Sequence, residues 1–411
     1  MKKFFLLLAA LIPAAMISAQ SMYIYQGNVA TMVNANLTGD ITYSNTALTV
    51  RGLQFPLATV DSITFSNNNV QIDSVTVKYT GTTAKVFVPI DILPYLTITA
   101  NDAHVSIVSS QMDGNEIKYA LTGSSTDGSF YQEGDYKCTL CLNNITLNNT
   151  KGGAIDIQNG KRIEVDVPAG TVNSFTDCTA GTQKSCFYIK GHAEFKGGGT
   201  INLIGKTAHA YKSNEYTEFK TSFGTMNITS SANDAMHISQ YFKMNGGVVN
   251  ISGAAGDGIQ VDTTSNKTDE FNGQMFLNGG TVSITLNGDG AGGLKCDSLF
   301  TCTGGTYNIT MNGKNSDGVT TYAADISSAT SSPLFTIYAN GGYLTVDGDK
   351  KKSSCFKTAA NMYFHDGTIN AYPNTNLKAK GIKVDGNYYY TSKAKTNVVP
   401  DVAGQMIVIA Q

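Results

Sequence analysis

The chain has 411 residues, with 42 Gly, 8 Pro, 21 Tyr and no Trp, and only 15% of it is charged, 29 basic against 31 acidic side chains. So balanced and sparse a charge excludes a nucleic-acid binder and a disordered charged tail, since phosphate neutralisation and self-repulsion both need a charge excess. About one residue in ten is Gly, against a usual share of roughly 7%, which points to many turns. No segment beyond the N-terminus approaches the roughly 18 apolar residues of a membrane span.

Residues 1–19 read Met-Lys-Lys, an apolar stretch from Phe4 to Ile17, then Ser18-Ala19. This is the order of regions in a secretory signal peptide, and it predicts export of the mature chain to the periplasm, cell surface or medium. No Cys lies near the cleavage position, which argues against a lipid anchor. The seven Cys begin at Cys138, and their odd number leaves at least one thiol unpaired within a monomer. Cys138 and Cys141 have C-x-x-C spacing but lie in a strand-like alternation without a second pair. Cys178 and Cys186 are the most local pair for a disulfide in an exported chain.

Residues 20–69, ending VDSITFSN, predict a small β element. Residues 70–135 contain the alternating runs VTVKYTGTTAKVFVP and LTITANDAHVSIVSS, which predict capping strands and a first coil. From 136 to 385 the chain repeats. The segments GGGTINLIG, FGTMNITSS, NGGVVNISG, NGGTVSITL, TGGTYNITM, NGGYLTVDG and HDGTINAYP place a turn glycine at Gly199, Gly224, Gly247, Gly280, Gly305, Gly342 and Gly367, at intervals of 25, 23, 33, 25, 37 and 25. The two long intervals read as coils carrying the inserts TSNKTDEFNG and ADISSATSSP.

A second strand keeps the same phase and gives an inward column of Ile155, Phe187, Ala210, Met236, Ile259, Leu294, Val319, Phe356 and Ile382. A third, such as YFKM, MFLN, LFTIYA or MYFH, lies between. Such units cannot bury their apolar faces alone but do so when stacked. The expected fold is therefore all-β, a right-handed single-stranded parallel β-helix of about nine coils with three short strands each and an N-terminal β cap. A β-propeller needs blades of about 40 residues, longer than four of the six intervals. Residues 386–411 predict a C-terminal strand and tail.

Alternation sorts each strand into inward and outward positions. On the anchor strand the outward strip reads Asp156, Tyr188, Tyr211, His237, Gln260, Lys295, Thr320, Lys357 and Lys383. Aromatic faces stack on sugars and ammonium groups pair with uronates, so Tyr188, Tyr211, His237, Lys295, Lys357 and Lys383 are candidates for polysaccharide binding; an ordinary solvated sheet face accounts for the same residues. After the glycines, Asn202, Asn227, Asn250, Asn308 and Asn370 face out among Thr residues, either as ladders between coils or as a lattice for an ordered ligand such as a glycan or ice. Asp234, Asp257 and Asp317 precede the anchor, while Asp262, Asp297 and Asp385 follow it. Asp234, Asp257, Asp262, Asp297 and Asp317 are candidate Ca²⁺ ligands, because stacked like charges need neutralising; turn capping by Asp is the alternative.

The run LTGSSTDGSF, then DYKCTLCLNNITLNNTKGGAIDIQNGKRIEV and the repeated GIQV and NGGTVSIT units, resembles the family of secreted bacterial carbohydrate-binding domains with a pectate-lyase-like parallel β-helix, over residues 95–385. The resemblance implies binding of plant-type polysaccharide, cellulosic or acidic, assisted by calcium held between coils and without lyase chemistry. Asp234, Asp257 and Asp317 match that family's D-G-I units, whereas Gly292 replaces Asp in GGLKCD. The enzymatic alternative is a polysaccharide lyase with Lys295 as base, since Arg51 and Arg162 lie outside or at the start of the repeats. A structural adhesin or ice-binding solenoid, acting through the Thr/Asn face, is the third reading.

Overall fold

The computed structural model describes residues 21–34, 41–67, 74–110, 114–329, 331–346, 349–400 and 407–409. The expected signal peptide at 1–19 lies outside them. Strands make up 61% of the chain, with no α-helix among the described residues, and most join in one large, mostly parallel sheet that winds as a β-solenoid. Three parallel stacks run along it.

The first stack passes from Ile155–Ile157 through Ser185–Ile189, His209–Ser213, Met236–Ser239 and Ile259–Asp262 to Lys380–Val384. The second includes Ile163–Asp166, Ala193–Lys196, Thr217–Phe219 and Tyr241–Met244. The third includes Thr200–Gly205, Thr225–Ser231, Val248–Ser252, Thr281–Leu286 and Thr306–Met311. Phe187, Met236, Ile259, Leu294, Phe356 and Ile382 are fully or almost fully buried, as the repeat predicts. Phenylalanines from the other strands meet them edge to face, as Phe175 meets Phe187 at 5.4 Å between ring centres. Each such ring removed from water contributes up to about 3 kcal/mol.

The glycines before the third stack do what their positions predict. Gly247, Gly280 and Gly305 have φ of +87°, +88° and +96°, in the left-handed region. A Cβ on Gly280 would also sit 2.7 Å from the carbonyl oxygen of Gly247 one coil away, so the stacked turns pack backbone against backbone.

Two coils depart from the expected register. In HAYKS the inward residue is Tyr211, not Ala210: Phe187 pairs with Tyr211 and Tyr211 with Met236. A one-residue shift reverses the faces of a strand, so Lys212 points out and Ser213 in. The Tyr211 hydroxyl is accommodated by Thr217 Oγ1 at 2.8 Å, and Ser213 Oγ joins the same pair at 2.9 Å. The segment NGGYLTVDG is not a coil strand. Tyr343–Val346 and Asp349–Lys352 form an antiparallel hairpin, and Leu334–Ala339 takes the third-stack position between Thr306–Met311 and Gly367–Pro373. The alternating run LFTIYA buries Phe335, Ile337 and Ala339 and so outcompetes the glycine motif. Ala324–Ile326, within the second expected insert, is likewise a strand of the second stack.

At the N-terminus, Ser21–Gln26, Val29–Asn34 and Ser62–Ser66 pair antiparallel. They share a small core of Met22, Ile24, Val33, Leu48, Val50 and Phe55. Val29 to Met32 then runs parallel to Val86 to Pro89, joining this element to the cap. Ser74–Gly81 and Thr83–Pro89 form the antiparallel cap, and Ser74–Gly81 covers the parallel edge at Ile117–Ser125. All seven cysteines are free thiols, Cys178 and Cys186 included. Burial raises the thiols of Cys138, Cys296, Cys302 and Cys355 to about 12, which leaves them packed rather than reactive.

Candidate functional site

The outward column of the first stack runs Asp156, Tyr188, Lys212, His237, Gln260, Lys295, Thr320, Lys357 and Lys383. Parallel pairing places successive members about 4.8 Å apart. Two of the expected sugar-binding aromatics do not offer a ring face. Tyr211 is wholly inside, for the register reason given above, and Tyr188, though outward, is only 7% exposed. Lys212, which sequence reading placed on the inner column, joins the strip.

Beside this column lies a second, formed by the residues just before the anchor: His209, Asp234, Asp257, Gly292, Asp317 and Ser354. These follow from the pairings of Tyr211 with Met236, Met236 with Ile259, and Gly292 with Asp317. The Asp residues are buried and brace the coils. One oxygen of each accepts the backbone amide at the equivalent position of the next coil: Asp257 N on Asp234 (2.9 Å), Gly292 N on Asp257 (2.6 Å) and Ser354 N on Asp317 (2.8 Å). The other oxygen meets a cationic or imidazole group from the strip. Lys295 Nζ donates to Asp257 Oδ2 at 2.8 Å and Lys357 Nζ to Asp317 Oδ2 at 3.1 Å. Asp234 Oδ2 lies 2.9 Å from His237 Nδ1 and 3.2 Å from His209 Nδ1.

The electrostatics follow. Burial raises the carboxyls of Asp257 and Asp317 despite their lysines. Burial would raise Asp234 too, but the two histidines and the Asp257 amide outweigh it and hold that carboxyl well below its ordinary range. Burial would lower Lys295, yet its hydrogen bond and charge contact with Asp257 prevail and keep it above its ordinary value.

Ca²⁺ takes six to eight oxygen ligands. Asp257 and Asp317 have donors on both oxygens and do not fit that demand; Asp234 faces imidazoles. Asp262 and Asp297 follow the paired residues Val261 and Cys296 on adjacent coils, and Asp297 is exposed. Asp297 caps the Thr263 amide at 3.0 Å, while Asp262 Oδ2 lies 3.3 Å from His237 Nε2. Among the described residues, one group of three potential ligand side chains converges within 4.8 Å: His209, Asp234 and His237.

Three recesses open on the strip; the smallest, of about 260 Å³, is lined by Asp156, Tyr188 and Lys212, and the other two are larger. One, of about 480 Å³, is lined by His209, Asp234, His237, Gln260 and Lys295. The other, of about 410 Å³, is lined by Lys351, Lys352, Lys357, Lys380 and Lys383 with Asn315. Sequence reading missed the hairpin lysines, because it placed their segment inside a coil.

Elsewhere on the surface the rings of neighbouring coils stack on one another. Tyr216 and Tyr241 lie 4.6 Å apart, Tyr338 and Tyr372 4.6 Å, and Tyr363 and Tyr389 4.8 Å, all within 13° of parallel. Coil spacing thus covers ring faces with ring faces and leaves edges toward solvent. On the third stack, Asn227 Nδ2 donates to Asn202 Oδ1 and Asn250 Nδ2 to Asn227 Oδ1, each at 2.9 Å. This is the side-chain ladder, one of the two alternatives for that face.

Known proteins share this frame. The polysaccharide lyase-like protein from C. thermocellum, solved as a gadolinium derivative, superposes with a TM-score of 0.51 at 16% identity, over 62% of this chain and 97% of that one; at that identity the likeness shows the fold. Residues 101–376 match the family described as carbohydrate-binding domain-containing protein. The match spans roughly two thirds of the chain, and the protein belongs to that family. No curated protein matches the sequence.

Proposed function

We propose that the protein is an exported, non-catalytic binder of acidic plant-type polysaccharide, held along the outward strip of the first stack of a right-handed β-helix. The observation that carries this reading is the recess formed by Lys351, Lys352, Lys357, Lys380 and Lys383, which continues a strip already bearing Lys212 and Lys295. Ammonium groups at such close spacing suit the repeated carboxylates of a uronate chain, with charge-assisted hydrogen bonds worth roughly twice neutral ones. A cellulosic ligand fits less well on this strip, because flat neutral chains bind by stacking and its two expected rings are not available, Tyr188 being 7% exposed and Tyr211 buried. Calcium has a place in this reading only at Asp262 and Asp297, as a bridge to ligand carboxylates.

Lyase chemistry at Lys295 is disfavoured by the same geometry. A general base must be deprotonated near the working pH, whereas Lys295 is ion-paired to Asp257 at 2.8 Å.

The test is retention on immobilised polygalacturonate and on cellulose, each with calcium and with chelator. Retention on polygalacturonate that falls with salt is expected. Absence of retention on any acidic glycan of an array overturns the proposal, and release of unsaturated, ultraviolet-absorbing products would favour the lyase instead.

A further inference from the structure

We propose that His209, Asp234 and His237 bind one divalent transition-metal ion of the zinc class, at the floor of the 480 Å³ recess. Three observations converge on this site. The first is the donor set. Two imidazole nitrogens and one carboxylate oxygen suit zinc, cobalt, nickel or copper, and are a poor match to calcium's demand for many hard oxygens. His209 and His237 are two of only five histidines in the chain, and the fold brings them together from adjacent coils with ring centres 4.4 Å apart.

The second is geometry. Both Nδ1 atoms approach the same oxygen, Asp234 Oδ2, at 3.2 and 2.9 Å. Ligands around a tetrahedral ion with bonds of about 2.0–2.1 Å lie about 3.3 Å from one another, which both imidazole–carboxylate contacts already match, and the three ligand atoms lie within 4.8 Å of one another. His209 is 7% exposed, and its Nδ1 is buried without a hydrogen-bond partner, although the Asp234 oxygen is near: the approach is too far from linear for an N–H to be shared. A buried polar nitrogen without a partner is costly, and a metal at this position satisfies it.

The third is support from outside the ligand set. Metal-bound histidines characteristically give their other ring nitrogen to a carboxylate. His237 turns its Nε2 toward such a carboxylate, Asp262, at 3.3 Å from Oδ2. Asp234 is fixed by the Asp257 amide on its other oxygen. The fourth position opens on the recess, beside Gln260 and Lys295, where water or an anionic oxygen completes the shell.

The experiment uses the metal-stripped full chain without glycan, dialysed against zinc or cobalt(II) chloride alone, with bound metal counted by elemental analysis. One ion per chain is expected, with visible cobalt bands of tetrahedral intensity that persist in excess calcium. His237→Gln, whose ring is partly exposed, should weaken binding by more than about 100-fold, beyond the range typical for loss of an outer-shell partner, and Asp262→Asn by about tenfold. His209→Ala should match His237→Gln, circular dichroism confirming that each variant is folded. Failure to bind either ion, displacement by calcium, or binding undiminished in the folded His237→Gln chain overturns the site. Because no glycan is present, the outcome is independent of the polysaccharide reading.

Discussion

The first and third stacks are wound from the same coils, yet their outer faces solve the problem of stacked polar side chains differently. On the third, Asn227 donates to Asn202 and accepts from Asn250, both at 2.9 Å, so the ladder satisfies its own amides. On the first, carboxylates sit in the buried column and cations in the outward one, leaving lysine heads half in water and able to take a second partner. Side-chain relative exposure is 37% for Lys295 and 34% for both Lys357 and Lys383. A ladder closes a surface; a cation strip leaves it open to ligand. The largest test of that contrast is the pair Lys357→Ala with Lys383→Ala, which should lower retention on polygalacturonate roughly 10- to 100-fold, given about 1.5–3 kcal/mol for each charge-assisted contact. Asn227→Ala should leave retention unchanged and cost about 1 kcal/mol of stability in a denaturant titration. Equal loss of binding in both variants would erase the distinction between the faces.

A smaller effect probes the brace itself. Asp317→Asn keeps an acceptor for the Ser354 amide but leaves Lys357 without its counter-charge. Because Lys357 is partly solvated, the expected loss is about 1–2 kcal/mol at neutral pH, below that of a fully buried pair. The pH dependence has a definite sign. Burial raises the Asp317 carboxyl in the folded protein, so the stability linked to its titration is fully present below its unfolded value and is lost as pH rises through the folded value. The native chain therefore gains stability as pH falls through the folded value, whereas Asp317→Asn has no titrating group at this position, so the difference between the two proteins should widen in acid. A gap that narrows in acid, followed by thermal melting between neutral and acid pH, would contradict this arrangement.

Most of the solenoid was legible because its inward residues repeat once per coil and its turns are marked by Gly. Ile155, Phe187, Met236, Ile259 and Leu294 needed no more than that. What failed were coils whose local pattern was ambiguous. HAYKS offers Ala and Tyr as equally apolar neighbours, and only the hydroxyl partners Ser213 and Thr217, supplied by packing, decide for Tyr211 inside. NGGYLTVDG carries the motif of a coil strand but competes with LFTIYA, whose three inward side chains bury more apolar surface. The candidate metal site was lost to the first of these errors. With Tyr211 inward, His209 falls two residues before the anchor, in the column of Asp234 and Asp257; with Ala210 inward it does not. One slip of register thus concealed both a ligand and Lys212, while Lys295, Lys357 and Lys383 were placed correctly because the coils around them are regular. The family resemblance pointed to carbohydrate binding, and no spacing reveals that lysines from the next strand reach Asp257 and Asp317, two of the positions expected to hold calcium.

The finest test separates the two readings of the irregular coil. Tyr211→Phe removes one buried hydroxyl, whose hydrogen bond to Thr217 Oγ1 is 2.8 Å long. Thr217 keeps Ser213 Oγ at 2.9 Å, so the partner is not orphaned, and the expected cost is about 1 kcal/mol, read as a lower midpoint in urea with an unchanged slope. Glycan retention should not move. Were Tyr211 on the outer strip, as alternation from Ala210 requires, the same substitution would leave stability unchanged, and only removal of the ring would alter binding. Tyr211→Ala completes the comparison: inside the solenoid it leaves a cavity beside Phe187 and Phe195 and costs roughly 3–5 kcal/mol, on the scale of other buried aromatic truncations, whereas on the strip it would be nearly silent in the urea titration.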